Sequence, residues 1–422
     1  MPRSTARSDG SGPPGTPPHR GGAAGPHAAV RHRDRLPLPQ GSAELTVRVR
    51  REDSYRIHVV PGPDAALRAL RAELDGRRAA LVTDPVVREL HGRPLAAALR
   101  EHGQLAGSTT VEPGERGKHL RTGCRLLDWL ARTGLTRRDV LVAVGGGALV
   151  DTVGWVAGAY MRGVPYINVP TTLLGQVDAG IGGKVAVNHS SAKNLIGAFY
   201  QPLAVISCLA YLDTLDTRHL RAGLAEVVKK AVIASPDLFA FLEKRAAELL
   251  AGPGPHRETL VRAASAVKAE LIGRDPYEQD LRRPLNFGHT LGHAVETATG
   301  YGPVLHGEAV AFGMAAAVRI ARARELIAAG TADRVTGLLR TLGLPVRLGD
   351  LPAVPDIGDM LAALEKIRQI RDGSLRFVLP EDLGATVIVD DVTEAEILRA
   401  LDPAGPAGPA PAAGGVPCSA GG

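Results

Sequence analysis

The stretch DVLVAVGGGALVDTVGWVAGAYM, residues 139–161, reads as a buried strand, a glycine turn and a helix. LVAV is a short continuous apolar run, and a helical pattern begins directly behind the three glycines. Around it the same alternation repeats. RRAALVTDPVV (77–87) is a buried strand ending at Asp84, STTVEPGE (108–115) a short strand, and VPYINVPTT (164–172) another. Between them, 65–74 is helical by its Ala/Leu/Arg pattern. Residues 118–133 are amphipathic, with Leu120, Cys124, Leu127 and Leu130 near helical spacing. Strands alternating with helices predict a parallel α/β domain. Upstream, ELTVRVR and YRIHVV (44–60) alternate in polarity and read as the two strands of a hairpin.

From residue 203 the texture changes. Segments such as TRHLRAGLAEVVKKAVIA and GEAVAFGMAAAVRIARARELIAAG are long, Ala/Leu/Arg-rich and helical in period. The expected division is a Pro/Gly/Arg-rich disordered tail over 1–44, an α/β domain over 45–202, an all-α domain over 203–402, and a disordered tail over 403–422.

Composition narrows the class. Hydrophobic residues are 45% and charged residues 22% of the 422, ordinary for a chain with a real core. Half of the net charge of +6 lies in residues 1–44, where six arginines face Asp9, Asp34 and Glu44, so the body carries no nucleic-acid footprint. The longest apolar run, 309–318, is too short to span a bilayer, and Cys124, Cys208 and Cys418 form neither a disulfide framework nor a zinc cluster. A cytoplasmic protein without membrane or nucleic-acid partners is expected.

The chemistry sits in three places. VDAGIGGKVAVNHSSAKNLIGAFYQP (177–202) sets Lys184, Lys193, Asn188 and Asn194 among glycines, the composition of an anion pocket. GGGALVD (145–151) brings backbone amides to a helix N-terminus, where a diphosphate is favoured, although a structural turn explains the same pattern. Asp84 at a strand end suits a ribose diol, and Glu115 with Lys118 an adenosine. In HTLGH, His289 and His293 have the one-turn spacing of a helical zinc pair, but the glutamate of a protease motif is missing. A different set, Glu226 with His289 and His306, supplies the carboxylate and two imidazoles of an open catalytic site.

GERGK, GGGALVD, YMRG, VPTTLLGQVDAGIGGK, KNLIGAFYQP, GLAEVVKKA, RRPLNFGHTLGH and LHGEAVAFGM occur in this order. On these motifs the chain resembles the dehydroquinate synthase family of sugar-phosphate cyclases from about residue 55 to 401. The resemblance implies a Rossmann-like NAD domain followed by an all-α metal-binding domain, with the active site in the cleft between them. It also implies a homodimer, with Arg162 reaching into the neighbouring subunit's site. The divalent metal, zinc with cobalt as the alternative, falls on Glu226, His289 and His306. NAD falls near Asp84, Glu115, Lys118, Gly146, Gly147, Asp151, Thr171, Thr172, Asp178 and Lys193. Substrate phosphate falls on Lys184, Asn194, Asn286, His293 and the partner's Arg162. Lys229, Lys268, Glu278 and Arg282 complete the pocket, with Arg282 and Lys268 facing a substrate carboxylate; Lys184, Lys229, Glu278 and His293 carry the catalytic roles.

The implied reaction is transient oxidation of a secondary alcohol by NAD, phosphate elimination, re-reduction and intramolecular aldol closure. Arg282, Asn286 and His293 favour an acidic substrate, a 3-deoxy-heptulosonate 7-phosphate or its amino analogue, over sedoheptulose 7-phosphate and a valiolone-type cyclitol. The usual DKK ahead of GxLRFVL is Ile367, Arg368 and Gln369 here, with Arg368 in the place of a phosphate-binding lysine, which leaves a specialised-metabolism branch and an ordinary dehydroquinate synthase as equal alternatives. A metal-dependent polyol dehydrogenase and a non-catalytic paralogue are the readings from other classes.

Overall fold

The structure, a computed structural model, describes residues 53–401 apart from 190–192, 253, 280–282 and 371–372. Both expected tails and the segment 44–50 lie outside the described residues.

Six parallel strands form one sheet: β1 (Arg56–Val60), β2 (Ala79–Thr83), β3 (Leu105–Thr110), β4 (Val140–Gly145), β5 (Tyr166–Pro170) and β8 (Ala204–Cys208). Their order is β1-β8-β5-β4-β2-β3. The central strands β2, β4, β5 and β8 are buried along their whole length, as a sheet covered on both faces requires. Side chains alternate between two cores. Leu81, Val140, Val142 and Val144 pack with Leu70 and Leu99 of the helices Pro63–Leu74 and Arg93–Glu101. Ala80, Val82, Leu141 and Ala143 pack with Leu126 and Val153 of Leu120–Thr133 and Gly147–Ala159. Each fully buried Val or Leu contributes about 1.5–3 kcal/mol relative to exposure.

YRIHVV forms the strand β1, which pairs in parallel with β8, Arg56 opposite Ala204, at the edge of the described sheet; its expected hairpin partner, 44–50, lies outside the described residues. One sequence expectation changes here. The sheet runs past residue 202, because β8 belongs to it and the long helices begin only at Thr217.

β3 and β2 lie on one side of a reversal in strand order and β4, β5, β8 and β1 on the other. At such a switch point the carboxyl ends of neighbouring strands leave a crevice for ligands. Asp84 follows β2 there and Gly146 follows β4.

A small antiparallel pair, β6 (Lys184–Val187) and β7 (Ile196–Phe199), carries Lys184 and flanks the segment with Lys193 and Asn194. Beyond it, helices dominate around one core, including Thr217–Ala234, Pro236–Leu250, His256–Arg274, His289–Ala298 and His306–Ala323. A second antiparallel pair, β9 (Phe377–Asp382) and β10 (Ala385–Val389), is the strand element in this helical part that periodicity did not disclose. Two glycines let the helices that carry Glu226, His289 and His306 meet. A Cβ at Gly307 would fall 1.9 Å from the Ala222 carbonyl oxygen, and one at Gly313 would fall 1.9 Å from that of Gly288. No helix among the described residues is long and apolar enough to cross a membrane.

Candidate active site

Glu226 lies at the centre of the Thr217–Ala234 helix and is wholly buried. His289 and His306 are the first residues of their helices. The Glu226 Oε1 atom is 3.9 Å from His289 Nε2 and 3.7 Å from His306 Nε2, and it has no hydrogen-bond partner. Its other oxygen is engaged: Lys229 Nζ lies 2.5 Å and Lys230 Nζ 3.4 Å from Oε2. An orphaned buried carboxylate oxygen facing two imidazole nitrogens fits a divalent cation, since two donors on a tetrahedral ion sit roughly 3.4 Å apart.

The ring orientations agree with that fit. His289 Nδ1 lies 3.2 Å from the Phe287 carbonyl, so it donates and leaves the Nε2 lone pair inward. Burial first, then Lys229, His306 and His293, hold His289 well below the usual imidazole range and therefore neutral. His306 Nδ1 lies 3.2 Å from Glu296 Oε1 and donates to it. Ligand atoms of Glu226, His289 and His306 come within reach of one ion, and His293 stands beside His289 with ring centroids 5.3 Å apart.

Glu296 is the residue that sequence reading missed. Its signal was present as His293-x-x-Glu296, one helical turn apart, but without the His306 contact it reads as an ordinary helix glutamate. It is 3% exposed and also accepts from Lys193 Nζ at 2.8 Å. Burial works against its charge, yet His306 and Lys193 outweigh it and hold the carboxyl well below its ordinary range. His293, Glu296 and His306 also come close enough for a second metal. With Lys193 and the His306 proton both on Glu296 Oε1, this group is a hydrogen-bond relay instead.

On the sheet side, the residues expected around NAD are gathered at the strand ends. Asp84 caps the next turn, accepting from the amides of Val86 and Val87 at 2.9 Å. Lys118 Nζ lies 2.5 Å from Asp151 Oδ2. Asp151 is nevertheless shifted upward by burial, which Lys118 opposes. Glu115 accepts from Asn188 Nδ2 at 2.7 Å and lies 3.5 Å from Lys193. Burial opposes the charge of Lys193, but Glu296 and Glu115 hold its ammonium above the ordinary range. Thr171 is buried, and Thr172 Oγ1 accepts from Gly175 N at 3.0 Å. No side chain caps the Gly147–Ala159 helix at Gly146, so its first amides suit a diphosphate.

Lys268, expected to face a substrate carboxylate, contacts Asp178 of the expected NAD set. Lys268 Nζ lies 2.8 Å from the Asp178 carbonyl and 3.0 Å from its Oδ1, so this lysine is turned onto Asp178. Arg282, its expected companion at a carboxylate, lies outside the described residues.

A cavity of about 480 Å³ has Glu278, Asn286, His289 and His293 in its wall. Glu278 forms an ion pair with Lys184 and accepts from Asn286 Nδ2 at 2.6 Å. Its backbone is left-handed, φ 56°, as is that of Asn194 at φ 55°; such conformations in non-glycine residues concentrate at functional sites. Phe199 and Tyr277 stand edge to face at the cavity, centroids 5.6 Å apart. Arg162, at φ 63° on the turn after the Gly147–Ala159 helix, and Asn194 are not in the cavity wall. Neither is Arg368, whose Nη1 bonds Glu365 Oε2 at 3.0 Å on the helix exterior. Ile367 lines the cavity in its place, and the guanidinium-bearing wall residues are Arg283 and Arg376.

Residues 108–222 match the model of the 3-dehydroquinate synthase N-terminal domain, and 223–366 that of its C-terminal domain. The chain is 64% identical over 374 residues to a 2-epi-valiolone synthase of Actinosynnema mirum, covering 89% of this chain and 98% of that protein. It is 39% identical over 350 residues to a 3-dehydroquinate synthase of Nitrosomonas europaea, covering 82% and 93%. Among solved structures, the 2-epi-5-epi-valiolone synthase ValA of Streptomyces hygroscopicus subsp. jinggangensis, with NAD+ and Zn2+ bound, matches with TM-score 0.78 and 36% identity, covering 85% and 98%.

Proposed function

This chain belongs to the 3-dehydroquinate synthase family, and we propose that within it the protein is a sugar-phosphate cyclase converting sedoheptulose 7-phosphate to a valiolone-type cyclitol. The observation that carries this reading is the 64% identity over nearly the full length of a 2-epi-valiolone synthase, against 39% for a 3-dehydroquinate synthase. The order of the sequence reading, acid substrate first, is thereby reversed. Local geometry agrees with that reading: Lys268, expected to face a substrate carboxylate, is turned onto Asp178.

When bound, NAD supplies a transient hydride acceptor and a zinc ion a Lewis acid for the substrate oxygen. Glu226 Oε1, His289 Nε2 and His306 Nε2 hold the metal, with Lys229 fixing Glu226 and Glu296 orienting His306. Asp84, Glu115, Lys118, Asp151, Thr171, Thr172, Asp178, Lys193 and the amides following Gly146 hold the cofactor. Lys184, Asn194, Asn286 and His293 orient and neutralise the phosphate, which leaves with a proton of its own substrate. Glu278 keeps Lys184 and Asn286 aligned for that task. The active unit is a homodimer to which Arg162 contributes across the interface.

The test is phosphate release from sedoheptulose 7-phosphate with NAD well below the substrate concentration. Many turnovers without accumulating NADH are expected. Stoichiometric NADH formation without phosphate release would make the protein a polyol dehydrogenase.

A further inference from the structure

Lys230 follows Lys229 in the Thr217–Ala234 helix and is wholly buried. Its ammonium lies 2.8 Å from Asp178 Oδ1, 3.3 Å from the Glu226 carbonyl oxygen and 3.4 Å from Glu226 Oε2. A desolvated ammonium persists only where carboxylates and hydrogen bonds compensate it. Two other lysines already serve those carboxylates. Lys229 is on Glu226 Oε2 at 2.5 Å and Lys268 on Asp178 Oδ1 at 3.0 Å.

Neutralising two carboxylates therefore does not require Lys230. What distinguishes it from Lys229 and Lys268 is that it touches both, one on the turn Gly175–Ala179 after β5 and the other on the metal-bearing helix. Glu226 Oε1 faces His289 and His306 while Oε2 faces the two lysines. Charge drawn toward Oε1 leaves less for Lys230, which then leans more on Asp178.

We propose that Lys230 is a positioning residue that joins the metal ligand Glu226 to the cofactor-side Asp178, so that loading one site changes the affinity of the other. The inference rests on the cyclase reading for the placement of NAD near Asp178. Lys230 touches neither substrate nor reacting atoms; it acts through the two carboxylates.

The experiment uses the full chain stripped of metal. Zinc affinity is measured by competition with a chromogenic chelator, with and without NAD, and NAD affinity by calorimetry, with and without zinc. Wild type is compared with Lys230→Gln, which keeps N–H donors without charge, and with Lys230→Met, which removes both. In wild type each ligand is expected to change the other's affinity by the same factor, about fivefold or more. In both variants zinc and NAD still bind, but that factor falls to within about twofold of unity.

An unchanged factor in Lys230→Gln, or no coupling in wild type although both ligands bind, overturns the proposal. A purely structural role would lower Tm and leave the factor intact. If Lys230→Met does not fold, the Gln variant alone decides. Failure of wild type to bind either ligand overturns the cyclase reading itself, and this inference with it.

Discussion

Lys193 Nζ lies 2.8 Å from Glu296 Oε1, and the same oxygen lies 3.2 Å from His306 Nδ1. One carboxylate thus ties the segment between β6 and β7 to the His306 imidazole. It fixes the tautomer of His306, leaving Nε2 to face Glu226.

Glu296→Gln should retain the fold and weaken zinc binding by about 10–100-fold, the usual effect of removing such an outer carboxylate. Chelator competition measures this. Unaltered zinc affinity would mean that His306 is oriented by its helix alone.

Arg376→Ala should raise KM for the sugar phosphate about tenfold or more with a smaller change in kcat, because it loses a charge-assisted contact in the cavity. Arg368→Ala, which breaks only an exterior pair with Glu365, should leave both within about twofold. The reverse pattern would restore Arg368 as the phosphate ligand.

Gly307→Ala should be costly, because its methyl would meet the Ala222 carbonyl at 1.9 Å on the helix that carries Glu226. A loss of about 2–3 kcal/mol is expected from such overpacking, together with weaker zinc binding as His306 moves. Urea unfolding and chelator competition read the two effects.

Glu396 is held at about 2, from 4.5, by Arg324, whose Nε bonds it at 2.6 Å. A carboxyl depressed on folding contributes stability that is present above its unfolded value and lost as pH falls through its folded one. Glu396→Gln should therefore lower Tm at neutral pH, with the gap from wild type closing between about pH 4.5 and pH 2. Thermal unfolding across that window checks it; a gap that persists at the acid end would remove the ionic explanation.

The sheet was legible because β2, β4 and β5 are short apolar runs punctuated by Asp84, the 145–147 glycines and the Thr171–Thr172 pair. The parallel pairing of β1 with β8 was not legible, since alternating polarity marks a half-exposed strand and says nothing of its partner. β8 was hidden inside PLAVISCLAYL, where an apolar run next to helices reads equally as helix. The cluster of Glu226, His289 and His306 was legible as one of two sets: spacing offered His289 with His293, residue chemistry offered Glu226 with His289 and His306, and the chain's likeness to known cyclases chose the second. Glu296 left only the weak signal of a histidine one helical turn before it and Lys230 left none, because what defines them is contact with residues 10 and 52 positions away. For Arg368 the limit is related: periodicity specifies a helix but not that Ile367 lines the cavity while Arg368 pairs with Glu365.

The most direct test of the cyclase assignment offers zinc- and NAD-loaded protein equal amounts of sedoheptulose 7-phosphate and 3-deoxy-arabino-heptulosonate 7-phosphate, and identifies the carbocycle formed by mass. A valiolone-type product with the heptulosonate left unconsumed is the predicted result. A dehydroquinate-type product with sedoheptulose 7-phosphate left intact would contradict the account and return the protein to the acid-substrate branch of its family.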